Sequence, residues 1–485
     1  MTLHLLTLYL FIVIIKIQKN RMECCFLKIG IIGGGISALM LAYRIIEKSQ
    51  DKEIVIFEKG NALLDRKCPI LMKETTKCIR CHHCAIMEGM AGAGAFSDGK
   101  YNITTEFGGW LQDIRDKDEV LSYIEEADKI LVRFGATTDR FMPSNELKKL
   151  CLQNDLHMLQ SECKHLGTDA NFDTMVKMVD YLSSHSQVKI LTRCNVVNVS
   201  DFRVDYRNER THENKSESFD IVVFAVGRVG SGFFSEWCNK NAVPMKNNQV
   251  DIGVRVELPS MIWEDFEKKI YEPKIHYTTK KYGDTTRMFC FNGRGEVVTE
   301  NTGGVLTVNG HAYKDEAKKT KNTNFALLST IRFTQPFEKP IEYARYVAGL
   351  ANMISGGSVL VQRLGDLEQG RRTDESRLRK STVIPSLKGA VAGDLSLCMP
   401  KRQLDNIIET LHALDKIAPG TANYDTLLYG IECKYYSARP NTNREFEIDG
   451  KEGYFAIGDG AGFTRSLGQA AAQGLMVADT ILSRL

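Results

Sequence analysis

Six consecutive residues between an apolar strand and a helical pattern carry the clearest chemistry of this chain. In KIGIIGGGISALMLA (residues 28–42), Gly33, Gly34, Gly35, Ile36, Ser37 and Ala38 fit the pattern G-x-G-x-x-G/A. Gly33 permits a tight strand-to-helix turn, Gly35 lets backbone approach a pyrophosphate, and Ala38 allows close helix packing. The helix start would then turn its unpaired N–H groups toward negative charge. Glu58, followed by Lys59, ends a second strand expected over 53–57 and stands where an acid can accept hydrogen bonds from adenosine ribose hydroxyls. The competing reading is an incidental glycine turn.

A second glycine-rich segment, GYFAIGDGAGFTRSLGQAAAQG, lies at residues 453–474. A domain for NAD alone has no use for it. It resembles the matching segment of FAD enzymes of the glutathione-reductase-like group. That resemblance implies that Asp459, followed by Gly460, bonds the ribityl chain or the flavin-side phosphate. It also implies a helix from about 466 that points its N-terminus at the pyrimidine end of the flavin, where reduction places negative charge. Gly468 and Gln469 give that helix a start with little bulk. The strand DIVVFAVG (220–227), ending at Gly227, resembles the Ala-Thr-Gly strand of the same proteins, with Val226 in the threonine position. In MAGAGAFSDGK (90–100), Gly92 and Gly94 free main-chain amides to face a cofactor, and Ser97 and Lys100 add donors. GRVGSG (227–232) is followed by no strand-and-acid pattern of the kind an NADPH domain requires.

Together with KHLGTD (164–169), DIGVRVE (251–257), RMFCFNGRGEVVTE (287–300) and VNGHAY (308–313), these motifs resemble the largely uncharacterised FAD-dependent dehydrogenases of bacteria and archaea. That family sits within the two-dinucleotide-binding flavoprotein superfamily, and the likeness runs from about residue 28 to the end. It implies bound FAD and a redox reaction, with no agreed substrate. Ala91 stands where glycine is usual, and Arg294 where proline or tyrosine is frequent.

Cys78-x-x-Cys81-x-x-Cys84, with Cys68 ten residues upstream, leaves several readings open. The spacing suits a [4Fe–4S] cluster, structural zinc with help from His82 or His83, or a redox disulfide between Cys78 and Cys81. A loop of inert thiols is the fourth. For proton transfer, His311 in a glycine turn is the candidate, against the plainer reading of a satisfied histidine. Glu296 and the pair Arg371 and Arg372 could hold a polar substrate, although solvated charge explains each of them singly.

The elements needed to position these groups imply an α/β fold. We expect a Rossmann-like FAD-binding domain split in sequence, over 28–243 and 400–485, around an inserted, largely antiparallel β substrate domain over 244–399. The insert shows short alternating runs broken by Gly and Asn, and a polar stretch at 207–218 reads as an exposed turn. Residues 1–27 read as an over-extended start or dispensable leader, or else an anchor: the apolar run at 3–17 is shorter than the ~20 residues of a spanning helix. The body is expected in the cytoplasm. With 63 Lys and Arg against 60 Asp and Glu, a net charge of +3 gives no reason to expect nucleic acid or an anionic membrane as partner. Thirteen cysteines in a 485-residue chain do not form a short disulfide framework. The expected activity is an FAD-dependent oxidoreductase passing hydride between flavin N5 and a small organic substrate, served by an electron donor or acceptor that the sequence does not name. A thiol–disulfide or iron–sulfur-linked electron-transfer flavoprotein and a non-catalytic flavin redox sensor are the alternatives.

Overall fold

A computed structural model describes residues 27–75, 78–159, 162–270, 272–313 and 315–484. The expected leader or anchor at the N-terminus falls almost wholly outside these residues. Among the described residues no helix is long and apolar enough to cross a membrane.

The chain is a mixed α/β protein. Leu27–Ile32 forms the middle strand of a five-stranded sheet, with Lys52–Glu58 on one side and Ile221–Phe224 on the other. Val188–Thr192 extends the first side and Tyr454–Ala456 the second, and every pairing is parallel. Strands buried on both faces need near-continuous apolar sequence, and Ile29, Ile31, Ile54, Ile56, Val222 and Phe224 are fully buried. Helices Ile36–Lys48 and Leu467–Ser483 pack against each other in the same core. The chain leaves the middle strand toward one neighbour and returns much later to the other, so a crevice opens at the carboxyl ends of the strands.

An eight-stranded sheet forms the other half, with a core of its own. Its centre is Val250–Pro259, antiparallel to Asn322–Ile331 on one side and Leu427–Lys434 on the other. Thr285–Asn292, Ile275–Thr278 and Leu156–Met158 continue beyond Asn322–Ile331, so the sheet draws on residues outside 244–399 as well as within it. Alternation in VDIGVRVELP explains its two faces. Val250, Ile252, Val254, Val256 and Leu258 face the apolar core that includes Pro340–Ile354 and Lys401–Asp415. Asp251, Arg255 and Glu257 are also buried, on the opposite face, and each has a polar partner. The hairpin of Glu296–Thr302 and Val305–His311 lies against that face. Gly310 passes Arg255 and Asn324 too closely for any Cβ. The polar stretch expected as a turn is partly strand: Asn214–Ser218 closes a three-stranded sheet with Arg203–Asn208 and Cys194–Ser200.

Candidate functional site

A cavity of about 390 Å³ occupies the crevice of the parallel sheet. Gly33, Gly34, Gly35, Ile36, Ser37, Glu58, Lys59, Gly92, Gly94, Ser97, Gly227 and Asp459 all line it. Gly33 turns the strand at φ 105, a conformation side chains resist, and packs against the backbone of Ala225. Gly35 precedes the helix Ile36–Lys48, whose first turn has no side-chain cap. The amides there are left for a ligand, and a helix N-terminus favours an anion. A Cβ built on Gly35 or Gly227 would meet nothing within 4 Å. These positions border empty space inside the cavity, the room an approaching pyrophosphate needs.

The Glu58 carboxylate already organises this loop. Its Oε2 accepts from Gly34 N at 2.9 Å, and its Oε1 from Gly60 N at 2.8 Å and Gly89 N at 3.0 Å. Oε2 keeps a lone pair for a hydroxyl. Ala91 donates its N–H to Gly34 O at 2.8 Å and sits at φ 67. That left-handed conformation explains why glycine is usual here, and alanine bears a cost of ~1 kcal/mol. On the far side, Asp459 Oδ2 lies 3.2 Å from Arg228 Nε, while the buried Oδ1 has no hydrogen-bond partner among the described residues. Burial pulls the Arg228 guanidinium down, but Glu300 and Asp459 together hold it above its ordinary value. Ser466 caps the helix Leu467–Ser483 by accepting from Gln469 N at 3.2 Å.

The remaining expected cofactor residues build walls instead of surface. Ala38 is buried in its helix. Gly460 crosses the Gly227 backbone so closely that no Cβ fits, and Gly468 does the same against Asn102 O. Gln469 donates to Phe107 O at 3.1 Å, leaving its buried Oε1 unpartnered among the described residues.

A second cavity of about 300 Å³ adjoins the first, sharing Ser97, Arg228, Arg465, Ser466 and Leu467. His311 and Lys100 line this one. Lys100 therefore stands away from the first cavity, donating to Phe291 O at 2.5 Å and Asn292 Oδ1 at 3.1 Å and pairing with Asp98 at 2.9 Å. Burial works against the Asp98 carboxylate, but Lys100, His165 and His311 hold it below its ordinary value. Burial likewise pushes the His311 imidazole below its ordinary value, against the pull of Asp98 and Glu296. Glu296 accepts from Tyr313 at 2.7 Å, and Arg371 is tied to Asp366 at 2.9 Å; neither lines either of these two cavities. Sequence reasoning missed Asp98, Arg228, Lys274, His276, Arg287, Cys290, Glu300, Lys434 and Arg465, all on these walls. The resembling segments 90–100, 287–300 and 453–474 contain Asp98, Arg287, Cys290, Glu300 and Arg465, which was the available signal.

The thiol cluster gathers less than its spacing suggested. Among the described residues no group of three or more His, Cys, Asp or Glu side chains is arranged to hold a metal, so neither the iron–sulfur nor the zinc reading of Cys68, Cys78, Cys81 and Cys84 has support. Cys81 is exposed, and burial, with Cys68 and Cys78 nearby, pushes the Cys84 thiol up. Cys78 packs against the apolar cluster of Val297, Leu306 and Val308 and accepts from Asn301 Nδ2 at 3.6 Å.

Comparison with known proteins gives distant structural likenesses. E. coli quinol fumarate reductase FrdA is 12% identical with a TM-score of 0.41, over 94% of this chain and 70% of that one. Mycobacterium smegmatis Sdh1 in complex with UQ1 is 12% identical with a TM-score of 0.42, over 94% and 69%. An uncharacterised protein of Clostridium beijerinckii is 26% identical over 416 residues, 82% of this chain and 70% of the relative. Residues 249–435 match the family described as "FAD-dependent protein, C-terminal domain-like". That span, which supplies half of the residues lining the second cavity, is similar to the FAD-dependent proteins that the motifs of this chain resemble.

Proposed function

We propose that the first cavity holds FAD and that the chain is an FAD-dependent oxidoreductase acting on a small substrate in the second. In this reading the parallel sheet is a Rossmann-like FAD domain split in sequence, and the eight-stranded sheet with its hairpin is the substrate domain. One observation carries it: the empty space beyond Gly35 and Gly227 lies in a single cavity that Asp459, far along the chain, also lines. Bound there, FAD supplies two-electron chemistry, a hydride passing between its ring and a substrate carbon. The uncapped amides at Ile36 and Ser37 hold the pyrophosphate. Glu58 takes the ribose, and Asp459 with Arg228 orients the ribityl side. The capped N-terminus of Leu467–Ser483, where Ser466 and Leu467 line both cavities, would lie beside the ring. His311 exchanges the accompanying proton through an imidazole nitrogen, its basicity lowered by burial and partly restored by Asp98. Cys68, Cys78, Cys81 and Cys84 line neither cavity, which removes support from the thiol-exchange alternative.

Purified protein should carry FAD, released by heat, at about one per chain. Gly35→Val should fold, since no neighbouring atom opposes the new Cβ, and should contain none. Wild-type protein that neither carries nor takes up FAD, or a Gly35→Val protein with full flavin content, would sink the assignment.

A further inference from the structure

We propose that the second cavity takes a planar organic carboxylate, recognised by Lys274 and Arg287 and stacked among aromatic side chains. The inference rests on the reading above insofar as the first cavity is the flavin site that this ligand would face.

The polar inventory of the walls carries it. The wall carboxylates are each engaged, Asp98 by the Lys100 ammonium 2.9 Å from its Oδ2. Glu272 accepts from Cys290 N through Oε1 at 3.1 Å and from Cys163 Sγ through Oε2 at 3.5 Å. Glu300 faces Arg228 through Oε1 at 3.3 Å and Asn309 Nδ2 through Oε2 at 3.2 Å. Donors are left over. The Lys274 ammonium carries three N–H groups but among the described residues makes one short hydrogen bond, to Asn102 Oδ1 at 2.5 Å, with Glu272 at 3.8 Å. Arg287 contacts Tyr436 and Asp251 through Nη2, while its buried Nε has no hydrogen-bond partner among the described residues. A wall with spare N–H groups and paired carboxylates is complementary to an anionic acceptor. Lysine and arginine side chains outnumber carboxylates around the cavity, six against three.

The remaining surface sets the shape of the ligand. Phe107, Phe289 and Tyr436 line the cavity. Lys274 Nζ already lies 3.7 Å from the Phe107 ring centre, so the cation and the flat apolar surface are adjacent. Burial holds the Lys274 ammonium below its ordinary range, only partly offset by Glu272. A seated carboxylate would supply the missing counter-charge.

The test is calorimetric titration of the purified holoprotein with trans-cinnamate and with trans-cinnamamide, which has the same shape and no charge. The acid should bind at least about tenfold more tightly, the size of one charge-assisted hydrogen bond. Lys274→Gln should bring the two affinities together, and Arg287→Gln should do the same. Because Arg287 contacts the buried Asp251, that second variant risks misfolding, and Lys274→Gln, checked by unchanged flavin content and melting temperature, is decisive. Equal affinities, no measurable binding of either probe, or an unchanged preference in folded Lys274→Gln overturns the proposal. Protein that lacks flavin yet keeps the acid preference would reject the FAD assignment and leave the carboxylate site standing.

Discussion

His276 shows how one side chain writes the pH response of the second cavity. Ile275–Thr278 and Leu156–Met158 are antiparallel and set His276 directly opposite His157. Burial, with His157 adding to it, pushes His276 down to about 4. In the unfolded chain a histidine titrates near ~6.5. Between those values the unfolded chain binds a proton that the folded protein refuses, so stability falls as pH falls through that window. The effect is worth up to about 3 kcal/mol by pH 4. Denaturant melts of wild type and His276→Asn at neutral pH and at pH near ~4 should differ by that much, the variant losing less on acidification. His276 was invisible in the sequence because nothing local marks it. Gly33 to Ala38 could be read because their function lies in consecutive residues, and the same holds for Asp459 and Gly460. Lys274, Arg287, Lys434 and Arg465 come from four separate segments, two of them strands and two of them loops, which only the tertiary fold brings around one space. Ala91 could be noticed as a departure from a family pattern, but its φ of 67 could not.

Among the elements, the helix Leu467–Ser483 links stability to ligand binding. Ser466 satisfies one of its first amides, and the same residue lies on both cavities. Ser466→Ala should cost about 1 kcal/mol in denaturant unfolding. It should also weaken retention of reduced FAD during anaerobic gel filtration, while Ser466→Asp, which still caps, should recover the stability but not the retention, because its carboxylate opposes the negative charge that reduction places on the ring. Equal retention in all three proteins would place the helix start away from the ring. The strand and helix of the first dinucleotide motif were legible from β-branched runs and from the glycine turn. Asn214–Ser218 was not, because an exposed edge strand of polar residues has the composition of a turn. Pro340–Ile354 was also missed, inside a section whose alternating runs had suggested a largely antiparallel sheet.

For the whole molecule, two cores meet along the adjoining cavities, and a ligand filling the first should tie them together. FAD added to apoprotein at a hundredfold excess over its dissociation constant should stabilise the fold by ~2.7 kcal/mol, read as a rise in melting temperature that grows with FAD concentration. Gly35→Val should melt at a temperature that FAD leaves unchanged. The two-part architecture could be inferred from the glycine motifs and the change in pattern after residue 243. The contribution of Leu156–Met158 to the far edge of the second sheet could not, since three residues carry too little pattern to reveal a partner more than a hundred positions away. Tyr454–Ala456 and the helix after it complete a crevice begun at Gly33, more than four hundred residues earlier. During translation the ribosome therefore releases almost the entire chain before a flavin can be captured. A premature stop shortly before residue 454 would leave a nearly whole sequence without the strand and helix that complete the proposed flavin crevice.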